Sequence, residues 1–596
     1  MRMIIIYINV NESLHLEIKM ALAYGNYHEL SHQIRFLLFE IGIGLPQSSI
    51  DYFITLAHRD ALKRLQQAAL KEQLLDAPIA SHHVHDLLDQ LQIRLKKALP
   101  ASQFFQWQNM RNDLDESIAN DALAQAYKQC WNTQIHNEAL THSSLWSWMN
   151  KSQTAYQTLL FLEQWGCIGD SYLPTFRTKK GFTRREVLQN SPEFQAKISI
   201  HWCALSKENA FIPLQPDRFH NQIAEQFPKE YTLWRERLVL HHLDPDNYYP
   251  IPVHPWQWRN QIQPVYASLI DKKRLILLPH HQSLMPSMSL DMMFPLDNSR
   301  ALIHLATSIN TPEMHHSNST TLNNHSPELM NWLNSLLIRT NHYENSLFLM
   351  NQLACISLQD HNISEHRNKK LTASFYQNPI NLINKNQKLV PLPSLFSNSP
   401  ITHKPLIIEI INESGLAPVP YFAFYCYKIL LGSLHLFLKH GVVLETLEQN
   451  MLIIFEESIP RGLILKKLTD IKIDDRFFVT TKEHSELPLS TSLKTITPDE
   501  LSTSFIKNIL QKNIKRWVNA LTAEFQLAET LLWNEVHHAL NKVLAEIATD
   551  IDPQTLSWQK KQLFQDTWQH QCVFTMKLSS NSFKSVYIQE ENPLID

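Results

Sequence analysis

A chain of 596 residues is too long for one hydrophobic core, so two to four packed units are expected. Its 54 Lys and Arg against 57 Asp and Glu leave a formal charge of −3 with the cations scattered, which argues against nucleic acid as a partner. Glycine contributes only 10 residues, far below the usual share of about 7%, and neither Gly-x-x-x-x-Gly-Lys-Ser/Thr nor Gly-x-Gly-x-x-Gly occurs, so any nucleotide must be held by side chains.

The amino end, Met1 to Val10, has a charge and a short apolar run, but Asn9, Asn11 and Glu12 interrupt it and no small-residue cleavage site follows. It reads as part of a soluble chain, with Met1, Met3 or Met20 as the start of translation. From Glu17 to about Leu160 apolar residues recur at three and four, as in Ser31–Glu40 and Val84–Leu95, which predicts an all-helical unit over residues 1–160. Between Trp165 and Leu305 the β-prone runs Gln195–Trp202, Arg274–Leu278 and Ala301–Ala306 alternate with proline turns and helical patterns, so 161–390 is expected to be mixed α/β. Residues 364–405 are rich in Asn, Lys, Ser and Pro and read as a surface connection.

The third unit, 391–596, reads as mainly helical with a small sheet. Its long apolar helix is expected to end at Gly441, followed by strands at Met451–Phe455 and Leu463–Leu465. The apolar stretch Tyr421–Leu438 contains Lys428 and His435, which favours a buried helix over a membrane span. Six widely separated cysteines without a Cys-x-x-Cys pair fit a reducing cytoplasm.

Within Gly441-Val-Val-Leu-Glu-Thr-Leu-Glu-Gln-Asn450, a helix–turn–strand change precedes Glu445, Gln449 and Asn450, so one loop can aim a carboxylate and two amides into a common cleft. That donor set suits a polar substrate or a metal. This segment resembles the Gly-x-x-x-Glu-x-His-x-Gln-Asn signature of the template-independent siderophore synthetases, the aerobactin-synthetase-type (IucA/IucC) family. Pro252-Val-His-Pro-Trp-Gln-Trp258 resembles the same family's His-Pro-Trp-Gln signature, in the family's order. Leu447 stands where the family places histidine.

Three further blocks carry the resemblance with altered chemistry. Gly169 to Phe182, followed by Ser191-Pro-Glu-Phe194, is similar to a block with two histidines and two cations. Asp170 and Leu173 occupy the histidine positions, while Arg177 and Lys179 keep the cations. Pro286-Ser-Met-Ser-Leu-Asp-Met292 is similar to Ser-x-Arg-Thr: Ser287 and Ser289 remain, Asp291 and Met292 replace arginine and threonine, and His304 and His316 fall near an expected lysine and arginine. Leu465-Lys-Lys-Leu-Thr-Asp470 stands where an Arg-Asp pair is expected; Lys466 or Lys467 keeps the charge without arginine's planar fork.

The resemblance implies an α+β, helix-rich, hand-like fold of three units with a cleft between the last two. It implies ATP and Mg2+, with Asp170, Arg177, Lys179, Ser287, Ser289, His304 and His316 toward the nucleotide. Glu445, Asn450 and Asp470 fall toward metal, and Glu445, Gln449, Asn450, Lys466 and Lys467 toward the reacting polycarboxylate. The implied reaction joins a citrate-like acid, as its acyl adenylate, to an amine or hydroxyl, and the implied assembly is a homodimer. The alternative is a catalytically silent homologue that binds a siderophore, a precursor or a partner synthetase. If Asp291 faces a triphosphate, like charges about 4 Å apart at an effective dielectric of about 20 repel by roughly 4 kcal/mol.

Outside these blocks, Ser81-His-His-Val-His85 and His315-His316 read as polar surface, and Asp115–Asn120 as a packing helix. No Gly-x-Ser-x-Gly elbow points to a hydrolase.

Overall fold

A computed structural model of the protein describes residues 4–5, 27–98, 102–103, 105–169, 172–213, 215–297, 300–306, 327–338, 346–360, 364, 368, 370–474, 495–579 and 586–595. The amino unit is helical as expected: Tyr27–Glu40, Gln47–Lys71, Val84–Ala98 and the 32-residue Trp107–Glu138 pack through one apolar cluster that includes Leu38, Ile54, Leu65, Leu88 and Leu114. The pair Ile4–Ile5 and Ile43–Gly44 adds a two-stranded parallel patch. The expected polar surface at 81–85 is corrected. His83 and His85 are buried beside His58, with ring centroids 4.7 and 5.2 Å apart in sequence, because His85 Nε2 meets Asp115 at 2.6 Å and the His83 ring seats the turn before Val84–Ala98. No group of three or more metal-ligating side chains forms among the described residues.

The middle unit is built on a nine-stranded antiparallel sheet. Its order is Ala210–Phe211, Gln352–Leu358, Thr372–Tyr376, Leu302–Leu305, Met292–Pro295, His281–Pro286, Ile198–Ser206 and Tyr248–Val253, with Leu275–Ile276 also paired to Ile198–Ser206. The helices Phe219–Gln226 and Pro228–Leu240 cover one face, where Trp202, Phe227, Trp234 and Phe375 share a core.

The surface connection expected over 364–405 is also corrected. Thr372–Tyr376 lies inside the nine-stranded sheet, and Gln387–Pro391 is an edge strand of the carboxy unit's four-stranded sheet, paired antiparallel with Met451–Glu456. The Asn and Pro residues that suggested a linker serve as local stops. Asn378 caps the 3-10 turn Pro379–Leu382 by accepting from Ile380 N at 3.1 Å, and Pro391 ends its strand where no ladder donor is needed.

In the carboxy unit the helix Pro418–His440 is the one described helix long and apolar enough to cross a membrane, but 72% of its apolar window is buried inside the protein. It packs against Glu529–Ile547 and the four-stranded sheet. Gly441 ends it in the left-handed region at φ 60°, where a side chain would be strained, and its N–H returns to Leu436 and Phe437. Immediately after, Val442–Glu445 pairs antiparallel with Asp470–Asp474 and sets Glu445 opposite Asp470. The largest core cluster joins this unit to Trp131, Trp146 and Trp165 of the preceding helices.

Candidate functional site

Three of the blocks that carry the resemblance meet in space, two of them altered. Gly181, at φ 106°, lies so close to Trp256 that a Cβ there would stand 3.1 Å from the indole, and Phe182 packs edge-on against the same ring at 5.2 Å. Leu290 completes this small cluster from the Ser287–Asp291 turn and adopts φ 63°, a conformation that costs a leucine on the order of 1 kcal/mol or more. The His-Pro-Trp-Gln segment acts as scaffold. His254 caps its own turn by accepting from Trp256 N at 3.0 Å, and Gln257 donates to the carbonyls of Ala306 and Lys370.

The cations expected toward the nucleotide are each paired with an internal acid. Arg177 is buried, with Nε 3.3 Å from Asp121, Nη1 3.4 Å from Glu193 and Nη2 donating to the Cys167 carbonyl at 3.0 Å. Lys179 is ion-paired to the same Glu193. Burial raises the Glu193 carboxyl, but Lys179 and Arg177 outweigh it and hold it below its usual range. Ser287 and Ser289 are buried and hydrogen-bond one another at 2.9 Å, and the Met288 N–H between them donates to Glu163. Glu163 also receives the fully buried Lys466.

Asp291 does not stand in an uncharged cleft. Lys467 Nζ donates to its Oδ2 at 2.6 Å, and His304 Nε2 lies 3.1 Å from the same oxygen. Burial pushes this carboxyl up, yet Lys467 and His304 hold it well below the ordinary range. Its other oxygen, Oδ1, is buried without a hydrogen-bond partner. Asp170 and His316 lie outside the described residues.

The carboxy loop opens onto a groove. A cavity of about 480 Å³ is floored by one continuous helical run, Pro498–Phe525, that has π geometry over Ile506–Ile514. Along one wall Leu447, Glu448 and Gln449 face Lys507, Lys512 and Arg516. Glu445 accepts from Ser504 and lies 3.5 Å from Lys507; burial raises its carboxyl, and Lys507, Ser504, Lys472 and Lys512 bring it down to about 2. Arg516 is ion-paired to Glu448 and stands 4.5 Å over the Phe396 ring. Asn450 is buried, with an Oδ1 that accepts no hydrogen bond. Asp470, opposite Glu445, is paired to Lys472 at 2.8 Å.

Reasoning from sequence missed the floor of this groove. Its cations Lys507, Lys512, Lys515 and Arg516 are separated by five, three and one residues, a spacing that ordinary helical periodicity scatters around the axis. The π segment, whose hydrogen bonds run from i to i+5, brings Lys507 and Lys512 to one side. The groove is cationic and partly enclosed, with amides on its rim, a donor set complementary in charge to a polyanion.

Fold and groove thus define a helix-rich α+β scaffold with a cation-lined groove between its carboxy unit and the end of Gln47–Lys71. The IucA / IucC family profile matches residues 158–397, and the ferric iron reductase FhuF-like transporter profile matches residues 420–585, a segment whose two cysteines, Cys426 and Cys572, are both buried. The citryl-spermidine/3,4-dihydroxybenzoyl-citryl-spermidine:spermidine ligase of Bacillus anthracis is 24% identical over 369 residues, which is 60% of this chain and 55% of that one. The crystal structure of the petrobactin biosynthesis protein AsbB from Bacillus anthracis str. Sterne superposes with a TM-score of 0.74 at 16% identity, over 96% of this chain and 98% of that one. The ATP-bound aerobactin synthetase IucA of Klebsiella pneumoniae gives 0.65 at 18% identity, over 87% of each chain. Residues 158–397 thus carry an IucA/IucC family region, on a fold shared with these structures.

Proposed function

We propose that this protein is an ATP-dependent ligase of siderophore assembly. The observation that carries the reading is the cationic groove at the Glu445–Asn450 loop, where Lys507, Lys512 and Arg516 face the Gln449 amide across a cavity large enough for a small polycarboxylic acid. In the first step a carboxylate oxygen of that acid attacks the α-phosphorus, the bond to the β-phosphate oxygen breaks and pyrophosphate leaves. In the second an amine or hydroxyl attacks the acyl carbon, the bond from that carbon to the AMP oxygen breaks, and the nucleophile's proton passes to water. No side-chain nucleophile is needed; the protein's share is positioning and charge.

Gln449 and Asn450 orient the acid in this reading, and Lys507, Lys512 and Arg516 hold its carboxylates. Glu445 and Asp470 are register neighbours on one face of a two-strand pair, the hard oxygen donors that Mg2+ shares with phosphates. Magnesium there would offset charge on the departing pyrophosphate. Arg177, Lys179, Ser287, Ser289, His304 and Lys467 form the nucleotide side, and Lys466 acts from behind by fixing Glu163 and the Ser287–Ser289 turn. The work belongs in the cytoplasm, where ATP is supplied, and a homodimer is the assembly proposed by family likeness.

One observation favours the second reading, a silent homologue that binds a siderophore, a precursor or a partner synthetase: Arg177, Lys179, Lys466 and Lys467 already have internal carboxylate partners. Calorimetric titration with ATP and magnesium, with and without citrate, beside a pyrophosphate-release assay, separates the two. Binding with release supports the ligase. Absence of ATP binding at millimolar concentration overturns it in favour of the silent homologue.

A further inference from the structure

Apart from Tyr172, which belongs to the Gly169–Phe182 block, the groove wall opposite the Glu445–Gln449 loop coincides with none of the sequence blocks described above. It consists of the end of Gln47–Lys71, Tyr172, and the antiparallel hairpin of Thr567–Gln571 and Tyr587–Glu591, which rests on the helical floor at Gln511 and Lys515. Glu72 knots these parts together: its buried carboxylate accepts from the N–H groups of Phe574 and Thr575, both at 2.7 Å, and from the Tyr172 hydroxyl at 3.0 Å. A carboxylate spent on four donors from distant chain segments marks a built surface, not a chance juxtaposition.

The charges on this wall do not balance. Glu590 is its carboxylate, and it is already taken: Lys515 Nζ lies at 2.6 Å from Oε1. Lys71 stands 5.1 Å over the Tyr172 ring, and among the described residues its ammonium has no carboxylate within ion-pair distance. His570 is 9% exposed, lines the groove, and has neither ring nitrogen hydrogen-bonded. The Lys71 cation favours an incoming carboxylate over an incoming ammonium, and the neutral His570 ring has one N–H with which to donate to it. Burial and Lys515 bring the Lys71 ammonium down to about 8, against the pull of Glu590 and Glu72, so a carboxylate partner restores what burial has cost it.

The two walls are separated along the floor. Lys507 serves the loop wall and Lys515 the hairpin wall, eight residues apart, which is on the order of 10 Å along a helix. That distance accommodates two small substrates end to end.

Resting on the ligase reading, we infer that the hairpin wall is the subsite of the nucleophilic substrate and that Lys71 holds this substrate by a carboxylate, so the nucleophile is an amino acid or hydroxy acid and not a polyamine. A polyamine brings two or more ammonium groups to Lys71 and Lys515 and finds Glu590 already occupied. Specificity thus comes from repulsion of the wrong partner as much as attraction of the right one.

The test uses the full-length protein in two stages. Pyrophosphate exchange with ATP and a pool of polycarboxylic acids, without any nucleophile, first scores the ligase reading; no exchange overturns that reading and this inference with it. With exchange established, product formation is compared for 2,3-diaminopropionate, ornithine and serine against putrescine and spermidine. We expect at least one amino acid to exceed both polyamines by tenfold or more in kcat/KM. Lys71→Met should raise the KM for that amino acid at least tenfold more than it raises the KM for the acid, and Lys71→Arg, which keeps the charge, should recover most of the loss. Polyamines preferred over every amino acid, or a Lys71→Met effect that falls equally on both substrates, overturns the inference while leaving the ligase intact.

Discussion

Lys467 of the carboxy unit and Asp291 of the middle unit meet across their seam, with Nζ 2.6 Å from Oδ2. The acid that stands where the family carries an arginine is thus matched by a cation 176 residues later in the chain. Asp291 takes a place that a phosphate oxygen could take on Lys467. Asp291→Asn should therefore do two opposite things: lower folding stability by about 3 kcal/mol, as loss of one partner of a buried pair does, and tighten ATP–Mg2+ binding by about tenfold. Urea unfolding and calorimetry read the two separately, and unchanged ATP affinity would show that Lys467 does not reach the nucleotide.

The adjacent lysine makes a different prediction. Lys466 is fully buried on Glu163, whose second oxygen accepts from Met288 N in the Ser287–Ser289 turn. Lys466→Met strands that carboxylate and should cost about 3–5 kcal/mol. Adding Glu163→Gln removes the stranded charge, so the double variant should regain more than half of the loss. Additive losses in a double-mutant cycle would mean that the two side chains do not depend on each other.

Much of this architecture was legible because its signals are local. Periodicity gave the helices Tyr27–Glu40 and Val84–Ala98, Gly441 gave the helix end, and the β-prone runs became Ile198–Ser206 and Leu302–Leu305. The blocks around Arg177, Trp256, Asp291, Gln449 and Lys467 pointed to the segments that supply the candidate site. What failed was long-range. Pairing of Asp291 with Lys467, or of Glu193 with Arg177 and Lys179, depends on which strands and turns touch, and charge type alone does not reveal that. The stretch at Thr372–Tyr376 and Gln387–Pro391 read as linker because its polar residues cap turns between buried strands. The cations Lys507, Lys512 and Arg516 escaped notice because a π segment shifts their phase.

Burial of neutral histidines sets an acid limit on the fold. Burial, with His83 and His85 nearby, brings His58 down to about 3, and burial with Arg259 and His201 does the same to His254. Unfolding returns each to about 6.5, so the unfolded chain binds protons that the folded one refuses. This contribution is complete above about pH 6.5 and is lost progressively as pH falls toward 3. Each histidine should cost roughly 2 kcal/mol at pH 5, since one pKa unit is about 1.36 kcal/mol. Urea midpoints measured from pH 7.5 to 5 should fall steeply, and His58→Gln, which keeps an acceptor for Val84 N, should flatten the slope. An unaltered slope would relocate the acid sensitivity to other groups.

Leu447 is the test of whether the groove holds the acid. It lines the cavity between Glu445 and Gln449, at the position where the family carries histidine, and it offers the acid no hydrogen bond. Leu447→His places a donor within reach of a carboxylate already drawn by Lys507, Lys512 and Arg516. A hydrogen bond to a charged group contributes about 1.5–3 kcal/mol, so citrate should bind at least tenfold more tightly. The gain should be larger at pH 6 than at pH 8, because a protonated imidazole adds charge attraction to the hydrogen bond. Arg516→Ala should act in the opposite direction, weakening citrate about tenfold and leaving Glu448 facing the groove without its guanidinium. If neither change moves citrate affinity while ATP still binds, the acid of this ligase is not citrate, and the leucine marks a pocket reshaped for a less polar polycarboxylate.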